Sequence, residues 1–184
     1  ESQLSYPNKF TGKERVVTLR GEAFFDVAKD ENRPFIVQTE NLSTKVLGTE
    51  FNVRNYALND THVTLLNGSV EVRNATMDQT ALIHPGEDAY LTKEADFIVK
   101  PVDTDAYCLW KEGVFYFDNV SLIEITKELG RWYNVDVVFN NHKAMGVNMH
   151  FLAERNGSIQ QVVDLLNSLN KAKVAFVNNQ LIID

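Results

Sequence analysis

The chain has 184 residues, 44% hydrophobic and 23% charged, with a formal net charge of −7. This is ordinary globular composition. The acidic balance, with no Lys/Arg-rich run, argues against a nucleic-acid binder, which needs clustered cations to displace counterions. No window approaches the roughly 18 unbroken apolar residues of a membrane span. The single cysteine, Cys108, rules out an intrachain disulfide or a cysteine-rich zinc site.

Glu1-Ser-Gln lacks the basic and apolar regions of a signal peptide and reads as the start of a processed fragment. From Arg15 to Val102 short β-type runs alternate with turn residues. Val17, Leu19, Gly21, Ala23, Phe25 and Val27 form one apolar face. Further strands are predicted at Phe35–Thr39, Thr44–Leu47, Phe51–Tyr56, His62–Leu66, Ser69–Arg73, Ala81–His84, Ala89–Leu91 and Phe97–Val102. Turns fall at Asp30–Pro34, Leu58-Asn59-Asp60, Asn67-Gly68 and Pro85–Asp88. Asn67-Gly68 between alternating segments predicts a tight hairpin. Leu then Gly then alternating apolar residues recur from Leu19, Leu47 and Leu66. That theme fits a coiled or rolled β-architecture with stacked turns, or a sandwich.

Asp103–Trp110 reads as a junction. Beyond it strands are expected at Val114–Phe117, Val135–Phe139, Val147–Phe151, Lys173–Val177 and Leu181–Ile183, and helices at Leu122–Tyr133 and Ile159–Asn170, in the order β-α-β-β-α-β-β. Ser121–Phe139 matches Ser158–Phe176 without a gap at an offset of 37, Leu129 meeting Leu166 and Phe139 meeting Phe176. Each copy opens on a capping-box signal, Ser121…Glu124 and Ser158…Gln161, in which the serine and the third residue on cap each other's amides. Asn178-Asn179 predicts the closing tight turn.

Chemistry-bearing motifs are sparse. The four histidines lack helical ligand spacing, so no metal site is expected, and phosphate loops and nucleophile elbows are absent. No nucleophile, base and orienting group assemble by motif, and the chain reads as non-enzymatic with no cofactor. Six Asn-x-Ser/Thr sequons, at Asn41, Asn59, Asn67, Asn74, Asn119 and Asn156, are better explained by turns and helix starts than by glycosylation. Trp110, Phe115, Tyr116, Phe117, Trp132 and Tyr133 cluster around the first strand and helix of the second half. Alternation places Phe115 and Phe117 on one face, and with Trp132 they read as core. Tyr116 and Tyr133 read as the exposed aromatics, suited to protein recognition.

Several motifs, in order, resemble a known family. Gly21-Glu22-Ala-Phe-Phe25-Asp-Val27, Arg33-Pro34-Phe35-Ile-Val37, Val46-Leu-Gly48-Thr-Glu-Phe51-Asn-Val53, Leu65-Leu-Asn-Gly68-Ser-Val70 and Pro85-Gly86 resemble the periplasmic FecR domain of transmembrane anti-sigma regulators. Trp110-Lys-Glu-Gly113-Val-Phe-Tyr-Phe117 through Arg131-Trp132-Tyr133-Asn134-Val135 resembles the C-terminal domain that follows it in Bacteroidetes members. That domain is similar to the N-terminal STN module of secretins and TonB-dependent transporters.

The resemblance spans about residues 15–184. It implies residues 1–105 as an all-β domain, a right-handed β-helix or roll, and residues 106–184 as a small βαβ–βαβ STN-like domain. A cytoplasmic anti-sigma domain, which would engage the sigma factor, and one transmembrane helix would precede Glu1 and anchor a periplasmic sensor to the inner membrane. The implied partner is the N-terminal signalling domain of a TonB-dependent outer-membrane transporter. Candidate docking residues are Tyr116, Tyr133, Trp110, Asn134 and Asp136. The alternative is a periplasmic small-molecule or glycan-binding module. That would want exposed aromatics on residues 15–102, a segment without tryptophan.

Overall fold

Strand alternation and glycine placement together determine how the first half of the chain folds. The computed structural model describes residues 1–57, 61–74, 78–92 and 96–184, with only the backbone at residue 105. The predicted turn at Leu58-Asn59-Asp60, the sequon at Asn59 and part of that at Asn74 lie outside the described residues. The chain divides into two compact units, Ser2–Cys108 and Leu109–Asp184.

The first unit carries β1 (Gln3–Ser5), β2 (Arg15–Asp26), β3 (Phe35–Gln38), β4 (Leu42–Val46), β5 (Glu50–Asn55), β6 (Thr61–Asn67), β7 (Val70–Asn74), β8 (Thr80–Ile83), β9 (Glu87–Leu91) and β10 (Phe97–Pro101), then a short helix α1 (Thr104–Cys108). The strands form one continuous, nearly closed path, β10-β9-β6-β5-β2-β3-β4-β7-β8, with β1 also on β2. β2 belongs to both halves of that path. Arg15–Thr18 pairs β3, and Gly21–Asp26 pairs β5. Gly21, at φ +92°, stands where the strand changes partner; a Cβ there would lie 2.6 Å from the Ser2 hydroxyl.

The recurring Leu-then-Gly theme marks passages of the chain from one half of the roll to the other. After Leu19 the passage is at Gly21, after Leu47 it runs from β4 to β5, and after Leu66 from β6 to β7. Two expectations are corrected here. Asn67-Gly68 does not close a hairpin, because β6 pairs β5 and β9 whereas β7 pairs β4 and β8. Gly68 has φ +99°, but Asn67 is not left-handed, as the tight turn would require. A Cβ on Gly68 would meet the Thr49 hydroxyl at 2.8 Å, so the glycine serves close approach. The β-helix form is likewise not what is built. Single-strand coils stack in parallel, whereas here hairpins stack and, among the described residues of the unit, every pairing but β2–β3 is antiparallel. The roll's interior is aliphatic around a stacked Phe25–Phe51 pair, ring centroids 5.2 Å apart.

The second unit carries β11 (Val114–Ser121), α2 (Leu122–Tyr133), β12 (Asp136–Phe139), β13 (Asn148–Glu154), α3 (Ile159–Ser168), β14 (Val174–Val177) and β15 (Gln180–Ile183). The order is β-α-β-β-α-β-β. β11 pairs β13, and β15 lies between β12, parallel, and β14, antiparallel. The matched residues occupy matched places: Leu129 and Leu166 are fully buried in one core beside Ile125 and Val162. Asn178 and Asn179 both adopt positive φ and close the two-residue β14–β15 turn.

The two helix starts differ. At α3 the capping box forms, Ser158 accepting from the Gln161 amide and the Gln161 side chain from the Ser158 amide. At α2 it does not. Ser121 is still a strand residue paired with Asn148, its side chain caps nothing, and Glu124 turns to Lys127 at 3.0 Å. Ser158→Ala should therefore cost about 1 kcal/mol and Ser121→Ala only a few tenths. Urea unfolding of both variants measures this; equal losses would contradict the asymmetry.

Candidate partner-docking surface

The end of α2 is fixed by a buried charge cluster. Glu128 faces inward, and its carboxylate receives the Arg131 guanidinium at 2.8 Å and the Arg155 guanidinium at 3.3 Å. Arg155 follows β13 and is itself buried. Its guanidinium carbon lies 4.4 Å from the Phe115 ring centroid and 4.7 Å from that of Trp132. Its Nε donates to the Val114 carbonyl at 3.3 Å, and its amide donates to the Gly113 carbonyl at 2.8 Å. One side chain thus joins α2, β11 and the turn before α3. A guanidinium held against two aromatic rings, a carboxylate and a backbone carbonyl is a charge kept out of water by specific partners.

Trp132 is the largest departure from expectation. It is 49% exposed and not core. Beyond Leu129 the apolar stripe can continue at i+3 or i+4, and the fold takes i+4, Tyr133. Trp132 is nonetheless held on three sides. Its indole N–H donates to the Arg155 carbonyl at 2.9 Å, its ring meets Phe115 edge-on, and Arg155 covers part of one face. An exposed, immobilised tryptophan loses little entropy on contact, which is how interface anchors behave. Sequence periodicity could not expose it, because the Arg155 that holds it lies 23 residues away.

The five sequence candidates fall in three places. Tyr133 packs on Phe115 and donates its hydroxyl to the Gly157 carbonyl at 2.9 Å; burial pushes its phenol up, Arg155 opposing. Asn134, the left-handed cap of α2, and Asp136, first residue of β12, are both exposed and converge on the closing turn. The Asn134 carbonyl accepts from the Asn179 side chain and the Asp136 amide donates to the Asn179 carbonyl, each at 3.2 Å. Tyr116, half-buried, occupies the other face of β11 from Phe115, directly across from Leu152, which is 59% exposed. Trp110, half-buried, lies in the 3-10 turn Leu109–Glu112 ahead of β11. Tyr133, Asn134 and Asp136 therefore gather with Trp132 around the end of α2. Tyr116 belongs to a second, separate apolar patch. Among the strand edges, β14 is closed at Val174, whose N–H and C=O both bond the Asn167 side-chain amide at 2.8 Å.

Comparison with known proteins bears on both units. Residues 1–71 match the family model described as FecR protein, and residues 114–183 match that described as FecR, C-terminal. Two crystal structures of a candidate anti-sigma factor from Parabacteroides distasonis ATCC 8503 are similar, each at 26% identity. One aligns over 100% of this chain and 86% of that chain with a TM-score of 0.86. The other aligns over 99% and 85% with a TM-score of 0.85. No curated protein matches. An antiparallel roll followed by a duplicated βαβ unit, each with its own sequence match, is the build of a regulator of the anti-sigma type. The chain belongs to the FecR family.

The charge cluster gives a direct test. Glu128→Ala leaves two guanidinium groups facing a vacated site and should destabilise the second unit by about 3–5 kcal/mol. Exchanging Glu128 and Arg155 together for apolar residues of similar volume should recover part of that loss, Arg131 still losing its carboxylate. Chemical unfolding of the single and double variants measures both.

Proposed function

We propose that this chain is the periplasmic sensor portion of a membrane-anchored anti-sigma regulator, and that it works by contact and not by catalysis. In this reading the second unit, built like an STN module, binds the N-terminal signalling domain of a TonB-dependent outer-membrane transporter. The bound state is passed along the chain to control release of a sigma factor held by a cytoplasmic domain. The observation that carries the reading is the joint presence of both FecR matches on one chain whose fold, along its whole length, is shared with a candidate anti-sigma factor. No helix among the described residues is long and apolar enough to cross a membrane.

The contact is assigned to the end of α2, with Trp132 as anchor and Tyr133, Asn134 and Asp136 around it. The Tyr116–Leu152 patch is a second, weaker contact. A rigid aromatic ringed by hydrogen-bonding groups fits the centre of a small transient interface. The small-molecule or glycan alternative would use the open cleft of about 670 Å³ between Lys29, Lys45, Gly48 and Gly68, and none of that cleft's lining residues is aromatic.

Titration calorimetry against the signalling domain of the transporter encoded nearby tests the assignment. Trp132→Ala should weaken binding by about 2 kcal/mol or more, and Tyr116→Ala or Tyr133→Ala by about 1–2 kcal/mol. Unchanged affinity in Trp132→Ala would remove the end of α2 as the contact.

A further inference from the structure

Helix α1 packs against β6 at the end of the first unit. Strand alternation turns Val63, Leu65 and Ala89 into the roll, so His62, Thr64 and Asp88 face outward. An outward face normally meets water, yet Thr64 and Asp88 are completely buried. The Asp88 carboxylate accepts the Thr64 hydroxyl at 2.9 Å and pairs with His62 Nδ1 at 2.8 Å. His62 stacks on Tyr90, ring centroids 5.7 Å apart, and meets Tyr107 of α1 at 6.4 Å. Burial, and next the Asp88 charge, push the Tyr107 phenol up to about 12, Arg54 opposing. The helix therefore sits over a charged, hydrogen-bonded layer.

A polar seat has a different energetic character from an apolar one. Lifting a helix from an apolar face exposes hydrocarbon to water at a cost proportional to area. Lifting α1 exposes a carboxylate, a hydroxyl and an imidazole, which water hydrates about as well as the protein did. Five residues are also too few to hold a helix once off the surface, so α1 unravels as it leaves. Residues 103–108, between Val102, whose amide stays bonded to the Gly86 carbonyl, and the 3-10 turn Leu109–Glu112, which packs on β11, then become one extendable segment reaching up to about 20 Å.

We propose that α1 is a releasable strap: docked on β6 through Tyr107 over the His62–Asp88–Thr64 layer, it shortens the connection between the two units, and detached, it lengthens that connection while both units stay folded. The inference holds whatever partner the second unit binds. It supplies a mechanical step, a change in effective tether length, by which an event on one unit reaches the other.

Cys108 makes the strap observable. It is the only cysteine of the chain, lies on α1 and is buried, so a thiol reagent reaches it when α1 lifts. The full chain is labelled with an aromatic disulfide reagent across urea concentrations below the unfolding transition. Labelling is expected through an opening whose urea dependence is a small fraction of that of global unfolding. Tyr107→Ala should raise the labelling rate about tenfold or more, with little change in the far-ultraviolet melting curve. Should that variant not fold, amide exchange in the wild-type chain decides the matter, the α1 amides exchanging faster than those of β6. Labelling that follows global unfolding with its full urea dependence, or α1 amides protected equally with β6, would overturn the proposal.

Discussion

The second unit depends on one buried ionic arrangement, Glu128 with Arg131 and Arg155. Three facts make it central. Arg155 bonds backbone at Gly113 and Val114, so it fixes where β11 begins. Its guanidinium lies against both Phe115 and Trp132, so it sets the edge of the aromatic core. Its carbonyl receives the indole N–H, so it also orients the largest exposed aromatic of α2. A buried pair of this kind adds little net stability over hydrophobic residues of the same volume, because both charges lose their hydration. What it contributes is specificity of place, since a guanidinium with a carboxylate, a backbone carbonyl and two rings around it has few other arrangements.

The duplicated βαβ pattern explains why the arrangement sits where it does. The two copies share their apolar ladder, Ile125 with Val162 and Leu129 with Leu166, and that ladder builds the common core. They differ at the positions flanking it. Glu128 and Trp132 of the first copy stand where the second has Leu165 and Leu169. Duplication supplies a scaffold, and the unmatched residues of one copy carry a surface the other lacks. The helix starts diverge in the same manner: α3 is capped by its own box, whereas α2 grows directly out of a paired strand.

Most of the secondary structure was legible in the sequence, because period-two and period-3.6 patterns are local properties. The strand runs from Val17 to Phe97 and both helices of the repeat lie where alternation and amphipathic stripes put them. What the pattern could not carry was partnership. Asn67-Gly68 has hairpin composition, but whether its flanking strands pair depends on β5 and β9 competing for β6, a non-local matter. The capping signal at Ser121 failed for a related reason, since β13 claims that residue for a sheet. Trp132 was hidden because apolar spacing marks a helix face without saying where the core ends. Helix α1 gave little signal at all: its seat is polar, and hydrophobic periodicity is blind to a helix held by Asp88 and His62.

The same contrast bears on how a state can pass along a chain of two folded units. Each unit is closed by a packed apolar core, and small domains of this kind yield cooperatively. A signal passed by deforming such a core would have to compete with the unit's whole stability. The polar cluster under α1 belongs to neither core, and its groups can exchange protein partners for water one at a time. A chain with two folded units and a hydratable joint between them in sequence can respond to modest forces without unfolding either unit. The location of the buried carboxylate, outside both cores and against the last helix before the second unit, is what permits that division of labour.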